Sequence, residues 1–539
     1  MNDKWLGVLV LFFIAGLVTV GNGLQPTYAA PASDSETHAA IDAYIEERMQ
    51  ALKIPGAALA IVQGDQIEYL QGYGVADSTG RGVTPQTPFM LASVSKSFTA
   101  LAIMQLAEDG RLDLDAPVRE YLPWFQIADE SAASEMTVRQ LLYQTSGFSE
   151  TDGNRINLDS SMAEDALSAS MKRLTGTELI NAPGTAFEYS NINYGLLGAI
   201  VEAVSGDSFE SYIQQNIFAP LEMEHSYTSM SEAEAGGATH GTYPFFGLPV
   251  RYDQMMPYSR AVTPWAGLFS SAEDLAHYLI AHLNEGGYQG NVILSPEGIS
   301  QLHTPGVEVN KWTSYAMGWW VDPNFDLASQ DQTDRLSSYT IPVVISHEGS
   351  WAAFRTVALM VPGQKVGVVL LMNTNDPAIE SAFGSVGWDV LLIYLGKQPS
   401  LYPPFEDFIL QNARPVFTVV TILLLGSFLW FVRKLRSWRQ SPMAAPSAWK
   451  MIAGYLLLPL AFDLLLAWFL LAVQLPDSRA TVPFVVRMAP DLGLLLILIL
   501  LLTLGWGTLR TLLLSQILFR KAARKQQSPM QEPGLGQVV

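Results

Sequence analysis

Residues 89–110 read Phe89-Met-Leu-Ala-Ser-Val-Ser-Lys-Ser-Phe-Thr-Ala-Leu-Ala-Ile-Met-Gln-Leu-Ala-Glu-Asp-Gly110. From Ser95 onward the stretch predicts a helix. Phe98, Leu101, Ala102 and Leu106 recur at spacings of three and four, which makes one apolar face. Gly110 supplies a stop. Ser93 therefore falls at or just before the helix N-terminus, and Lys96 follows one turn later on the same side. Two effects favour ionisation of a hydroxyl placed there. The positive end of the helix dipole stabilises an alkoxide, and a desolvated lysine loses its proton and becomes a base. Ser93 has two readings, a nucleophile or a residue that merely caps the helix. The Ser-x-x-Lys pattern is short, and a second copy stands at Ser447-Ala-Trp-Lys450 between two apolar runs. The rest of the chain has to decide.

On the N-terminal side, residues 5–20 form an apolar core behind Lys4, and small residues follow at Ala29, Ala30 and Ala32. This reads as a secretory signal peptide over 1–30, with an uncleaved anchor as the alternative. A helix is expected over 35–53. Ala57–Gln63 and Gln66–Tyr73 flank Gly64-Asp65 and predict a hairpin.

On the C-terminal side, Thr137–Phe148 predicts a short helix running into a glycine turn, read as scaffold. Tyr189-Ser190-Asn191 lies on a loop ahead of an apolar helix, where polar side chains face a cleft, and Asn191 or Asn193 is also suited to cap that helix. The aromatic stretch 240–265, with Tyr243, Phe245, Phe246, Tyr252 and Tyr258, fits either a cleft wall or loop packing. Ser271-x-x-Asp274 starts another helix in capping-box style. Strands are expected at Ile341–Ser346, Ala352–Val361 and Val366–Met372, with His347-Glu348-Gly349-Ser350 between the first two and a last helix over 378–395. Strands thus stand at both ends of this body and helices in its middle. The ends must meet in one antiparallel sheet, with the helices as a second lobe and the Ser, Tyr and His stretches converging at the boundary.

After Pro415 the composition changes. Val416–Val432, Met451–Gln474 and Asp491–Thr508 are apolar runs of bilayer-spanning length. Basic residues cluster between the first two runs (Arg433, Lys434, Arg436, Arg439, Lys450) and after the third (Arg510, Arg520, Lys521, Arg524, Lys525), whereas the intervening loop has only Arg479 and Arg487. The positive-inside rule then puts the body outside and the C-terminus in the cytoplasm. Asp463 lies mid-span, suited to a hydrogen bond with a neighbouring helix or to a functional role. The organisation expected is a signal peptide over 1–30, an extracytoplasmic body over 31–400, a linker over 401–415, three transmembrane helices within 416–518 and a cytoplasmic tail over 519–539.

The chain's net charge of −20 is unevenly spread, with an acidic body and a basic tail. An acidic body argues against nucleic acid as a partner. The sequence contains no cysteine, which excludes a disulfide scaffold, a thiolate nucleophile and a cysteine zinc site. The seven histidines show no ligand spacing, so no metal or organic cofactor is expected.

Taken together, residues 36–398 resemble the class C β-lactamase-like serine hydrolases, which include penicillin-binding proteins, D-aminopeptidases and some esterases. Ser93-Val-Ser-Lys96 matches the first motif, Tyr189-Ser-Asn191 the second, and His347-Glu-Gly349 stands where the third is often Lys-Thr-Gly. Leu141-Leu-x-x-Thr-Ser-Gly147, Ala266–Leu275 and Tyr315-x-Met-Gly-Trp319 are lesser matches. The resemblance implies an α/β, β-lactamase/transpeptidase-like fold, followed here by a three-helix transmembrane bundle. It implies catalytic Ser93, Lys96 and Tyr189, substrate contacts from Asn191 and His347, and an oxyanion hole from the backbone N–H groups of Ser93 and of Ser350, just after Gly349. His347 is a weaker cation than the family's lysine, which weakens carboxylate recognition. Signal peptide, hydrolase body and three spans together look like the membrane-bound peptidases that mature nonribosomal peptide prodrugs, such as the colibactin-maturing type. Two departures stand out. Met90 occupies the place of an acidic residue, and Asn191 that of a small hydroxyl residue, so D-asparagine specificity is not carried over. The partners implied are a peptide or small-molecule substrate and the membrane. A β-lactam sensor and a non-catalytic binding module are the readings from other classes.

Overall fold

The computed structural model describes residues 34–399, 413–440 and 482–526, apart from 158–159, 253–257, 324, 327–339 and 342, together with a few positions between 449 and 465. Helix α1 (Asp34–Leu52) leads into the hairpin of β1 (Gly56–Gln63) and β2 (Gln66–Gly74). The middle of the chain is helical and contains α2 (Ser95–Glu108), α3 (Val138–Leu142), α4 (Asn191–Ser205) and α5 (Ala272–Leu283). Short strands β3 (Val307–Glu308), β4 (Ser314–Tyr315) and β5 (Trp320–Asp322) follow. The long strands β6 (Val344–Trp351), β7 (Phe354–Val361) and β8 (Val366–Met372) come last, then α6 (Glu380–Tyr394).

All eight strands form one antiparallel sheet in the order β2-β1-β8-β7-β6-β5-β4-β3. The two ends of the body meet where β1 pairs with β8, Ala57 opposite Met372 and Gln63 opposite Val366. This is the sheet that the distribution of strand signals requires.

The central strands are buried on both faces. Successive side chains of a strand point to opposite faces. Ala57, Leu59, Ile61, Val368 and Leu370 therefore join one core with α1 and α6, and Ala58, Ala60, Val62, Val369 and Leu371 join the larger core under the helical lobe. Tyr44 of α1 donates a buried hydrogen bond to Asp389 of α6 and ties the outer layer together.

Two local readings change. His347-Glu-Gly-Ser350 lies inside β6, not between strands, because Gly349 and Ser350 pair with Thr356 and Arg355 and the hairpin turns only at Ala352-Ala353. Helix α2 is buried on nearly all sides, Ser95 to Met104 continuously, so its apolar stripe understates how centrally it packs. Ser271 caps α5 as expected, accepting from Asp274 N at 3.1 Å.

Beyond residue 412 the described chain forms α7 (Ala413–Gln440), α8 (Val482–Met488), α9 (Pro490–Leu500) and α10 (Trp506–Gln526), with a π-helical turn at Leu501–Gly505 joining the last two. Ala413–Trp438 and Pro490–Ile517 are long and apolar enough to cross a membrane, with mean hydropathy 2.2 and 2.4. They lie side by side and parallel. Arg414 pairs with Asp491 at one end (2.6 Å), and Phe431, Leu435 and Trp438 pack with Leu514 at the other. The run Met451–Gln474 falls largely, and Asp463 and residues 1–30 wholly, outside the described residues.

Candidate active site

The sequence Leu91-Ala-Ser-Val-Ser-Lys enters α2 through a 3-10 turn, Ala92–Val94. Ala92 has φ of +47°, a left-handed conformation that a residue with a Cβ rarely adopts. The turn leaves Ser93 partly exposed between buried neighbours. Ser93 does not cap the helix, because the cap position is Val94 and no side chain bonds there. The hydroxyl faces Lys96, whose Nζ lies 3.1 Å from Ser93 Oγ.

Lys96 has no exposed surface. Its other polar contact is the carbonyl of Trp265 at 3.1 Å, and among the described residues it forms no ion pair. Its Nζ sits over the rings of Tyr189 and Tyr194, 4.8 and 5.9 Å from their centroids. Burial holds its pKa well below the ordinary lysine value, since nothing nearby compensates the lost hydration of the charge. The Trp265 carbonyl belongs to a π-helical turn, Thr263–Gly267, anchored on α2 by Thr99 Oγ1 to Pro264 O at 2.5 Å and by Leu268 N to Ser95 Oγ at 3.2 Å.

Tyr189 arrives on the loop before α4. Burial raises its phenol, as does the neighbouring Tyr315, while a hydrogen bond with Ser93 acts the other way. The loop is held by Gln144, in the Leu141–Gly147 stretch. Gln144 has φ of +58°, and its Oε1 accepts from Ser190 N at 3.0 Å and from Asn193 Nδ2. Its carbonyl accepts from Glu188 N at 2.8 Å. The stretch read as scaffold therefore fixes Tyr189. Neither asparagine caps α4: the cap position is Ser190, and Asn193 is buried among Gln144 and Ser146. Asn191 Nδ2 reaches Asn157 Oδ1 at 3.4 Å, and that oxygen also accepts from Trp265 Nε1 at 2.9 Å. The other amide atom of Asn191, its Oδ1, is buried and has no partner among the described residues.

Strand β6 closes the site. Gly349 lies against the nucleophile turn so closely that a Cβ there would stand 2.0 Å from Leu91 O. Ser350 follows, partly exposed, its Oγ accepting from Asn375 Nδ2 at 3.0 Å. His347 is buried, with Nδ1 2.8 Å from its neighbour's carbonyl, Glu348 O, and Nε2 3.4 Å from Tyr315 OH. A carbonyl only accepts, so Nδ1 carries the proton and Nε2 the lone pair. Burial first, and the proximity of Lys96 second, pull its pKa down to about 3, so the ring is neutral at pH 7. Arg355 nearby is committed to Glu348 and Glu380.

The structure thus brings Ser93, Lys96, Tyr189, His347, Gly349 and Ser350 together, with Asn191 joined through Asn157 and Trp265. Sequence reasoning did not single out Trp265, Asn157, Gln144 or the aromatic group around Tyr189. Trp320 stacks on Tyr189 (6.2 Å, 11°), Tyr315 meets both rings, and Phe187 meets Tyr315 and Trp320. The Tyr315-x-Met-Gly-Trp319 match was the available signal for Tyr315. Of the aromatic stretch 240–265, Trp265 at its end reaches this site through its carbonyl on Lys96 and its Nε1 on Asn157. Tyr243 and Tyr252, by contrast, face the C-terminal helices.

The beta-lactamase family profile matches residues 41–383. Protein flp of Staphylococcus aureus (strain MW2) is 29% identical over 431 residues, covering 78% of this chain and 76% of its own. Penicillin-binding protein 4 of Amycolatopsis lactamdurans is 28% identical over 373 residues, 67% of this chain and 93% of its own. The octameric penicillin-binding protein homologue from Pyrococcus abyssi superposes with a TM-score of 0.56 at 28% identity, over 70% of this chain and 81% of that one. D-alanine carboxypeptidase AmpC from Burkholderia cenocepacia shares the fold at 24% identity and TM-score 0.54, over 67% and 99% of the two chains.

Proposed function

The chain belongs to the beta-lactamase family, and from that premise we propose that it is a membrane-anchored serine hydrolase working through an acyl-enzyme on Ser93. The observation that carries this reading is a lysine without exposed surface and, among the described residues, without an ion pair, 3.1 Å from a partly exposed serine hydroxyl. A lysine in that state has a free lone pair. It takes the proton of Ser93 as Oγ attacks a carbonyl carbon. The carbonyl oxygen becomes an oxyanion and is received by the backbone N–H groups of Ser93 and Ser350. Collapse breaks the bond to the leaving amine or alcohol, which takes its proton from Tyr189, and Tyr189 is reprotonated from Lys96. Water then attacks the ester on Ser93, giving its proton to the same pair, and Ser93 leaves as a hydroxyl.

The substrate class follows from charge. His347 commits its N–H to Glu348 and is neutral, and Arg355 is paired twice, so neither of these two described residues offers a free cation for carboxylate recognition. Neutral esters and N-acyl peptides are favoured over carboxylate-bearing β-lactams. Cell-wall-type peptides and N-acyl-D-amino-acid prodrugs remain the two peptide classes to separate. Membrane anchoring is supported by the two apolar helices. Both start beside the hydrolase body, and the apolar run Met451–Gln474 between them is the third span in this reading.

The test is labelling of wild type and Ser93→Ala with a fluorophosphonate and a fluorescent penicillin, read by intact-protein mass. A Ser93-dependent fluorophosphonate adduct with little penicillin adduct is expected. Folded protein that labels with neither probe would remove the acyl-enzyme reading in favour of a binding module.

A further inference from the structure

Four residues after β8, Asn373-Thr-Asn-Asp376, are polar yet buried (1%, 1%, 0% and 2% exposed). Buried polar groups require partners, and those of Asn375 and Asp376 run in two directions. Asn375 Nδ2 donates to Ser350 Oγ and to Trp351 O, both at 3.0 Å, at the end of β6 that closes the site. Asp376 instead accepts a two-pronged bond from Arg414, at 2.5 and 2.9 Å. Arg414 is the second residue of α7, and it also holds Asp491 at 2.6 Å and the hydroxyl of Tyr243 at 2.6 Å. Asp491 has no exposed surface and opens α9, and it accepts further from Tyr243 OH (2.6 Å) and Phe246 N (3.0 Å). One arginine therefore joins the starts of both apolar helices to a segment bonded to the candidate oxyanion residue.

Anchoring alone would not require this. A tether needs only a linker, whereas this contact desolvates one cation and two carboxylates, which is favourable only when the geometry is tightly held. We propose that Arg414, Asp376 and Asn375 are positioning residues through which the C-terminal helices fix Ser350 for oxyanion binding. The inference rests on the reading of Ser93 as nucleophile and Ser350 N–H as oxyanion donor. Arg414 and Asp491 hold Asp376 in register, the adjacent Asn375 holds Ser350, and Gly349 presses the strand against the nucleophile turn. Misplacing a reacting group by about 1 Å is enough to lower a rate about a hundredfold.

The test uses the full-length protein in detergent and the fluorophosphonate, whose tetrahedral phosphorus carries an oxygen into the oxyanion position. The inactivation rate constant and the probe's half-saturating concentration are measured separately for wild type, Asn375→Ala, Arg414→Ala, Arg414→Lys and Asp376→Asn, with Ser93→Ala as control. Asn375→Ala and Arg414→Ala are expected to lower the rate constant about tenfold to a hundredfold with half-saturation within about twofold. Arg414→Lys, which keeps the charge and loses the fork, is expected to recover part of the loss. Variants that melt earlier yet label at the wild-type rate per folded molecule would overturn the proposal and leave the cluster a structural joint. Should Arg414→Ala not fold, Asn375→Ala and Arg414→Lys carry the same comparison. Loss of labelling in Ser93→Ala alone keeps the catalytic reading intact, and labelling that persists in Ser93→Ala is a failure of that reading.

Discussion

A lysine removed wholly from water must release its proton or find a counter-ion, and Lys96 has found none among the described residues. Its lowered pKa sets the acid limb of activity. Above that pKa the amine is free and takes the Ser93 proton; as pH falls through it, the amine is charged and the rate is lost. Ser93 labelling against pH is expected to show one acid limb, and Lys96→Gln to lower the rate about 10²- to 10⁴-fold. A Lys96→Gln variant that labels at the wild-type rate would rule the base out. His347 makes a separate prediction about stability. Its pKa is pushed from 6.5 to about 3 in the folded protein, so below pH 6.5 the unfolded chain takes up a proton the folded one refuses. Its contribution is full above that value and is lost as pH drops from about 6.5 to about 3. His303, pushed down to about 4, acts in the same sense. Urea midpoints at pH 7, 5 and 4 are expected to fall steadily, and His347→Gln to flatten the fall. A variant profile parallel to wild type would show that the burial of His347 does not set it.

Two elements do most to bring these residues into register. Strand β6 approaches the nucleophile turn at Gly349, where any Cβ would meet the Leu91 carbonyl at 2.0 Å. Gly349→Ala must push the strand or the turn aside, so labelling is expected to fall at least about tenfold in protein that still folds. Retention of the wild-type rate would mean the strand yields without consequence. The loop before α4 depends on Gln144, whose Oε1 satisfies Ser190 N and Asn193 Nδ2. Gln144→Ala leaves two buried donors unpaired and is expected to lower stability by about 1–3 kcal/mol. It should also slow Ser93 labelling by loosening Tyr189. Both effects are read from a denaturant curve and a labelling time course. A full labelling rate in destabilised protein would confine Gln144 to scaffold. The Leu141–Gly147 stretch was legible as a helix and a turn. Its grip on Tyr189 was not, because the bonding atoms lie more than 40 residues apart.

At the scale of the molecule, the proposal is a hydrolase body outside a membrane with parallel helices leaving it. The absence of cysteine makes this directly testable, because a single introduced cysteine is the only thiol. In intact cells, Ser478→Cys, between the second and third apolar runs of the sequence, is expected to react with an impermeant maleimide. Ser441→Cys, which follows Trp438 at the far end of the first span, should react only after permeabilisation. The reverse pattern would invert the topology.

The sequence by itself determined the antiparallel sheet built from both ends of the body, the start of α2 at Ser95, and Ser93, Lys96, Tyr189 and His347 as the residues to watch. These are carried by local periodicity and by short motifs, and local signals survive in one dimension. Only the tertiary structure decided that His347 lies within a strand and is neutral, that Asn191 does not cap its helix, and that Tyr243 serves the C-terminal helices. It alone joins Asn375 and Arg414 to Ser350. A charge state follows from burial, and burial is a sum over neighbours brought from distant parts of the chain. An ion cluster linking residues 243, 376, 414 and 491 has no spacing for a sequence to display.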